Sequence, residues 1–261
     1  MASFDLSCRM KNNETDRRSF IVKAALGSLA AFSIPEIAMA AIEANSPRKI
    51  SVKTGDIILM QGDSITDAGR SRKATEPNNQ SAMGGGYAFL AAAEVLVKYP
   101  EKDLQFYNRG ISGNKVYQLA DSWDKDTLSL KPDVLSILVG INDYWHTLSH
   151  NYKGTVDTYR KDYRALLQRT KDNLPDVKLV IGEPFAIIGT AVNETWFPVL
   201  KEYQAVAREL ADDFGAAFVP YQKVYDKALQ HAPGAYWSGD GVHPSIAGAS
   251  LMAHAWLQAV K

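Results

Sequence analysis

Short apolar runs that stop at a glycine alternate along this chain with longer helix-like stretches, and that alternation limits the fold more than any other feature. Ile57-Ile58-Leu59-Met60-Gln61, Leu104-Gln105-Phe106-Tyr107 and Val134-Leu135-Ser136-Ile137-Leu138-Val139 read as buried strands. The pattern predicts strands near 57–61, 104–108, 133–139, 177–182 and 216–220, with helices over 86–98, 115–129, 155–173, 195–213 and 245–260. The helix over 155–173 carries Val156, Tyr159, Tyr163, Leu166, Leu167 and Thr170 at helical spacing and is stopped by Pro175. Such a chain folds as a parallel sheet covered by helices on both faces. With 261 residues, 46% of them hydrophobic, it holds one sizeable α/β domain, and no internal repeat or second domain is visible.

Ser64 falls just past the first run, in Gly62-Asp63-Ser64, at the carboxyl end of a strand where open α/β sheets bind ligands. The nucleophile elbow Gly-x-Ser-x-Gly is not formed, because Thr66 stands at its second glycine. The next two runs deliver Gly110 and Asn142 to the same rim; a glycine lets its backbone N–H come close to a ligand, and a carboxamide donates without adding charge. Near the C-terminus, Asp240-Gly241-Val242-His243-Pro244 is a turn that presents a carboxylate and an imidazole three positions apart. Each segment taken singly is an ordinary turn. In this order they supply a nucleophile, two oxyanion donors and a base with its orienting carboxylate, the set required for acyl transfer through a serine.

The four segments resemble the SGNH (GDSL) hydrolase superfamily, whose naming residues would be Ser64, Gly110, Asn142 and His243. The resemblance runs from about Asp56 to the C-terminus. Gly62-Asp63-Ser64-Ile65-Thr66-Asp67, Asn108-Arg109-Gly110-Ile111-Ser112-Gly113-Asn114, Lys131-Pro132-Asp133 and Gly140-Ile141-Asn142-Asp143-Tyr144-Trp145 are most similar to the branch of acetylxylan and xylo-oligosaccharide esterases. It implies a three-layer α/β/α fold with a five-stranded parallel, flavodoxin-like sheet. It also implies Ser64 as nucleophile, His243 as base, Asp240 as its orienting acid, and an oxyanion hole from the Ser64 and Gly110 N–H groups and the Asn142 side chain. No cofactor and no metal are implied.

Residues 1–40 read as a targeting segment. Asp16-Arg17-Arg18-Ser19-Phe20-Ile21 resembles the twin-arginine signal, an uncharged stretch runs from Ala24 to Pro35, and Ala38-Met39-Ala40 forms an A-x-A cleavage site. Asp16 and Val22 depart from the usual residues, which leaves the general secretory route open. The alternative is an amphipathic N-terminal helix of the mature fold. The apolar stretch is too short to anchor in a membrane, so the expectation is a periplasmic or extracellular enzyme, with 41–55 a linker or N-terminal segment and 56–261 the catalytic domain. The sole cysteine, Cys8, would leave with the signal, and with it any disulfide or thiol chemistry. Beyond residue 40 the chain holds 24 Lys and Arg against 25 Asp and Glu, which argues against a nucleic-acid partner. Nothing in the sequence sets the oligomeric state.

Gly84-Gly85-Gly86 lacks the Lys-Ser/Thr of a phosphate loop and reads as a flexible lead into a helix. His146 and His150 have the spacing of a zinc pair without the glutamate that accompanies it, and read as part of a variable loop beside the site. Asp67 is expected to cap the turn after Ser64. Tyr144, Trp145, Tyr236 and Trp237 flank the site, and we expect Tyr144, Trp145 and Trp237 to stack on a sugar or line an acyl channel. Neither flanking loop has a long apolar stretch, which favours a short acyl group on a polar carrier. The leading reading is therefore an esterase removing O-acetyl groups from plant-type oligosaccharides. The rivals are a lipolytic or thioester acylhydrolase and a non-catalytic carbohydrate-binding domain.

Overall fold

The computed structural model describes residues 33–42 and 48–261. The first half contains α1 (Ile34–Ile42), β1 (Ile57–Gly62), α2 (Ser64–Asp67), α3 (Gln80–Met83), α4 (Tyr87–Lys98), β2 (Gln105–Asn108), α5 (Val116–Asp126) and β3 (Val134–Leu138). There follow α6 (Ile141–Ser149), α7 (Val156–Asn173), β4 (Lys178–Gly182), α8 (Phe197–Asp213), β5 (Ala217–Val219), α9 (Tyr221–Ala228), α10 (Gly234–Trp237) and α11 (Ile246–Ala259). All five expected strands form one parallel sheet in the order β2-β1-β3-β4-β5.

Both faces of the sheet are covered. α4, α9 and α11 pack together on one side; α5, α7 and α8 pack on the other. Every residue of β3 is buried, which is why its run is apolar at all positions but one rather than alternating. Its one polar side chain, Ser136, accepts from Trp256 Nε1 of α11 at 3.0 Å. On the opposite face, Trp123 of α5 donates to Thr170 of α7 at 3.0 Å, so both of these buried indoles have a partner.

Strand register aligns the carboxyl ends into one rim: Gly62 of β1 pairs with Leu138 of β3, and Leu138 with Gly182 of β4. The strand order reverses between β1 and β3, and the segments after those two strands therefore frame a crevice at the switch point. Ser64 opens α2 directly after β1, and Asn142 lies in the first turn of α6 after β3.

Three expectations change. The segment 141–149 is a helix rather than a loop, because Ile141, Tyr144, Trp145 and Leu148 recur at helical spacing and the residues that disfavour helix stand at its last position, Ser149, and beyond it, Asn151 and Gly154. The glycines at 84–86 lead into α4, but two of them are set by packing. A Cβ on Gly84 would lie 2.4 Å from the Asp67 carbonyl and one on Gly86 2.6 Å from the Ala68 Cβ, so close packing against the turn after α2 demands glycine at those two positions, whereas a Cβ on Gly85 would meet nothing nearer than 3.9 Å. The linker expected over 41–55 is partly structured: Ala41 and Ile42 finish α1, and Ile50 and Val52 donate to the carbonyls of Ala259 and Lys261 at 2.8 Å. Ile37 and Ala38 of α1 are buried where that helix packs on α9 and α11. The paired arginines and Cys8 lie outside the described residues. No helix among the described residues is long and apolar enough to cross a membrane.

Candidate active site

The fold brings Ser64, Asp240 and His243 into one hydrogen-bonded chain. Ser64 Oγ lies 2.8 Å from His243 Nε2, and His243 Nδ1 lies 2.6 Å from Asp240 Oδ2. The other carboxylate oxygen accepts from the backbone N–H groups of Val242 and His243 at 2.9 and 2.8 Å. Burial pushes the Asp240 carboxyl up, but the hydrogen bonds from the His243 side chain and from the two backbone N–H groups outweigh it and hold the acid below its ordinary range. A carboxylate kept charged in this way fixes the Nδ1–H tautomer and leaves Nε2 able to take a proton from serine.

The turn 238–243 is braced from residues that the sequence did not single out. Ser238 is fully buried; its hydroxyl accepts from the Gly241 N–H at 3.0 Å and lies 2.8 Å from the His243 carbonyl and 3.1 Å from Asp240 Oδ1. The segment 187–191 donates three backbone bonds to 239–241: Ile187 N–H to the Gly241 carbonyl, Thr190 N–H to that of Gly239 and Ala191 N–H to that of Asp240. Ser238, one residue from a glycine and two from the acid, was the only one of these with a local signal.

Asp63 caps α2 by accepting from the Ile65 N–H at 3.0 Å, which sets the backbone on which Ser64 is the first helical residue. The Ser64 N–H therefore has no acceptor within the helix. Asn142 donates one N–H to the Asn114 carbonyl at 3.3 Å, which orients the carboxamide and leaves its second N–H for a ligand. The Gly110 N–H is already engaged, donating to Asn108 Oδ1 at 2.9 Å, so it reaches an oxyanion only as a shared, three-centre donor. Asn108 is fully buried and donates in turn to the carbonyls of Thr66 and Met83 at 2.6 and 2.8 Å. A Cβ on Gly110 would lie 2.5 Å from the Asp67 nitrogen, so glycine is required here by the close approach of this loop to α2.

Asp67 does not cap its own turn. Its carboxylate reaches across to the Gly110 loop and accepts from the Ser112 N–H and hydroxyl at 3.0 and 2.7 Å. Two other acids close to the nucleophile are buried and each keeps one oxygen without a partner among the described residues: Asp63 Oδ2 and Asp143 Oδ2. Burial pushes both carboxyls up to about 7; Asp63 is drawn back by the Ile65 N–H and the His243 charge, and Asp143 by the Val116 N–H.

The flanking aromatics divide. Trp145 is half-buried with its ring centroid 6.0 Å from that of His243, at the mouth of the site. Tyr144 and Trp237 do not line it: Tyr144 is buried against Trp196 and Tyr203, and Trp237 is buried with Nε1 donating to the Ala232 carbonyl at 3.2 Å. On a helix, adjacent residues point to different faces, so Trp145 reaches the site while Tyr144 enters the core. His146 Nδ1 lies 2.9 Å from Lys115 Nζ, and burial, followed by the charges of Lys115 and His150, pushes its imidazole down to about 4. No group of three or more metal-ligating side chains occurs among the described residues.

Residues 61–251 match the GDSL-like lipase/acylhydrolase family. An acetylxylan esterase of Geobacillus stearothermophilus is 32% identical over 213 residues, covering 81% of this chain and 96% of that protein. Among solved structures, a GDSL-like lipase-type protein of Parabacteroides merdae superimposes with a TM-score of 0.80 at 49% identity, over 81% of this chain and 98% of that one. An acetyl-xylooligosaccharide esterase of Geobacillus superimposes with a TM-score of 0.73 at 31% identity, over 80% and 95%. That esterase has been solved as catalytic mutants at a serine, an aspartate and a histidine, the last two three positions apart as Asp240 and His243 are here. With the match spanning most of its length, the chain belongs to the GDSL-like lipase/acylhydrolase family of serine carboxylic ester hydrolases.

Proposed function

We propose that this enzyme removes O-acetyl groups from xylan-type oligosaccharides through an acyl-enzyme on Ser64. The observation that carries the reading is the unbroken chain from Ser64 Oγ through His243 to Asp240. His243 Nε2 takes the hydroxyl proton as Ser64 Oγ attacks the acetyl carbon, and Asp240 stabilises the imidazolium. The Ser64 N–H and Asn142 Nδ2 meet the negative charge on the carbonyl oxygen, joined by the shared Gly110 N–H. The imidazolium then protonates the departing sugar oxygen. A water, deprotonated by His243, attacks the acetyl-serine, and the imidazolium returns the proton to the departing Ser64 Oγ as acetate is released.

The oligosaccharide assignment is supported by the activity named for the Geobacillus relatives and by Trp145 at the mouth of the site. The test is a screen of the purified protein against acetylated xylo-oligosaccharides, long-chain acyl esters and acyl thioesters, measuring acetate, fatty acid or thiol release. Acetate release from the sugar esters at the highest kcat/KM supports the reading; preference for long-chain esters or thioesters replaces it with the lipolytic or thioester alternative. We further propose that residues 1–40 direct export, on the paired arginines, the short apolar stretch and Ala38-Met39-Ala40.

A further inference from the structure

Beside the Ser64 crevice, on the β2 side of the rim, lies a second cavity of about 310 Å³. Arg70, Arg72, Arg109 and Lys125 line it, against one carboxylate, Asp126. In a chain whose formal charge is zero, four cations on one small cavity are a local concentration of charge that the reaction at Ser64 does not use.

Two of the cations, Arg70 and Arg109, are half-buried and held by the protein, while Arg72 and Lys125 stand exposed at the edge. Arg70 is half-buried, and its Nε donates to the Gly110 carbonyl at 2.8 Å. Arg109 lies with its guanidinium 5.3 Å from the Tyr107 ring centroid, and it makes only long bonds, 3.4 Å each, to the carbonyls of Asn108 and Thr75. Arg72 pairs with Asp67 at 3.6 Å, but that carboxylate is already shared with Ser112. Burial works against the Arg70 charge, as do the neighbouring Arg109 and Arg72, with Asp67 and Asp126 acting in its favour. A bound anion would relieve that repulsion, and planar guanidinium forks match a carboxylate bidentately.

The cavity is joined to the nucleophile by three residues. Gly110 packs against α2, while its neighbours Arg109 and Ile111 line the cavity, and the Ile111 N–H donates to the Gly62 carbonyl at 3.0 Å. An ester seated at Ser64 whose carrier runs across Gly110 therefore meets the arginines. We infer that this cavity is a subsite for a carboxylate on the carrier, so that the preferred substrate is an acetylated oligosaccharide bearing a uronic acid. This rests on the oligosaccharide esterase reading for its substrate and on the cavity alone for its charge.

Two arms test it separately. The first measures binding of a xylo-oligosaccharide carrying one uronic acid, and of its neutral counterpart, to full-length Ser64→Ala by calorimetry. The acidic sugar is expected to bind roughly ten- to hundredfold more tightly at low salt, the scale of one charge-assisted hydrogen-bonded contact. The preference should fall severalfold in the added double substitution Arg72→Gln, Lys125→Gln, which removes two of the four charges, and collapse toward parity near 1 M salt, where screening acts within about 3 Å. Equal affinity for the two sugars, or an equal loss for both in the double variant, overturns the inference. So does binding of inorganic phosphate with no discrimination between the sugars, which would make the cavity a site for a free anion. The second arm compares kcat/KM for the acetylated forms of both sugars. Turnover of neither sinks the proposed function, while the binding arm still decides the subsite.

Discussion

One carboxylate grips His243 from two directions: Asp240 Oδ2 meets the ring at Nδ1 while Oδ1 accepts the backbone N–H of the same residue, at 2.6 and 2.8 Å. The imidazole is thus fixed in both position and tautomer by a single side chain. Asp240→Asn should keep the backbone bond but present an N–H to Nδ1, favouring the wrong tautomer. We expect kcat to fall by about 10³–10⁴ with the protein still folded, read by initial rates and circular dichroism. A loss below tenfold would mean that Asp240 only shapes the turn.

Asn142 is expected to serve the transition state, because its carboxamide is already oriented by the Asn114 carbonyl. Asn142→Ala should lower kcat by about 10²–10³ with little change in KM, as removal of one oxyanion donor does elsewhere. A change confined to KM would make it a substrate-binding residue.

Asp143 gives a pH-dependent stability of known sign. Its folded carboxyl holds its proton up to about 7, whereas the unfolded one loses it near the ordinary value of 3.8. The native state therefore binds more protons between these values, and its contribution to stability is lost as pH rises through that window. Asp143→Asn, which cannot ionise, should gain on the parent in Tm as pH goes from about 4 to about 8, by roughly 2–4 °C per kcal/mol for a chain of this size. A Tm difference that does not change with pH would show that the buried acid is not the titrating group.

Export is checked at the N-terminus. Changing Arg17 and Arg18 to Lys should hold the precursor in the cytoplasm, while the parent yields a soluble exported form beginning near Ala41. Cleavage there divides α1, so the mature protein would lack the burial of Ile37 and Ala38. N-terminal sequencing decides the matter; Met1 on an active exported protein would make α1 part of the working fold.

The sheet and its order of elements were legible because buried parallel strands leave continuous apolar runs, and these bounded β1, β2 and β3 closely. Ser64, Asn142, Asp240 and His243 were legible because strand ends and a glycine-rich turn deliver them to one rim. The helix α6 is masked in the sequence because Ser149, Asn151 and Gly154, which disfavour helix, crowd its carboxyl end. Tyr144 and Trp237 neighbour site residues in sequence yet are buried away from the site, because proximity in sequence carries no information about which face a helical side chain takes. The hold of Asn108 on Gly110, the reach of Asp67 to Ser112 and the bracing of 239–241 by 187–191 are contacts between distant segments. No periodicity encodes them.

The central claim is that Ser64 carries the acetyl group between its transfer from sugar and its release to water. Acid-quenching the enzyme during turnover of an acetylated xylo-oligosaccharide, followed by peptide mass spectrometry, measures it directly. The account predicts one acetyl group on the peptide containing Ser64, present in the parent, enriched when deacylation is slowed at low pH, and absent from Ser64→Ala. Acetate release that continues in Ser64→Ala at the parental rate, or acetylation confined to another residue, would contradict it.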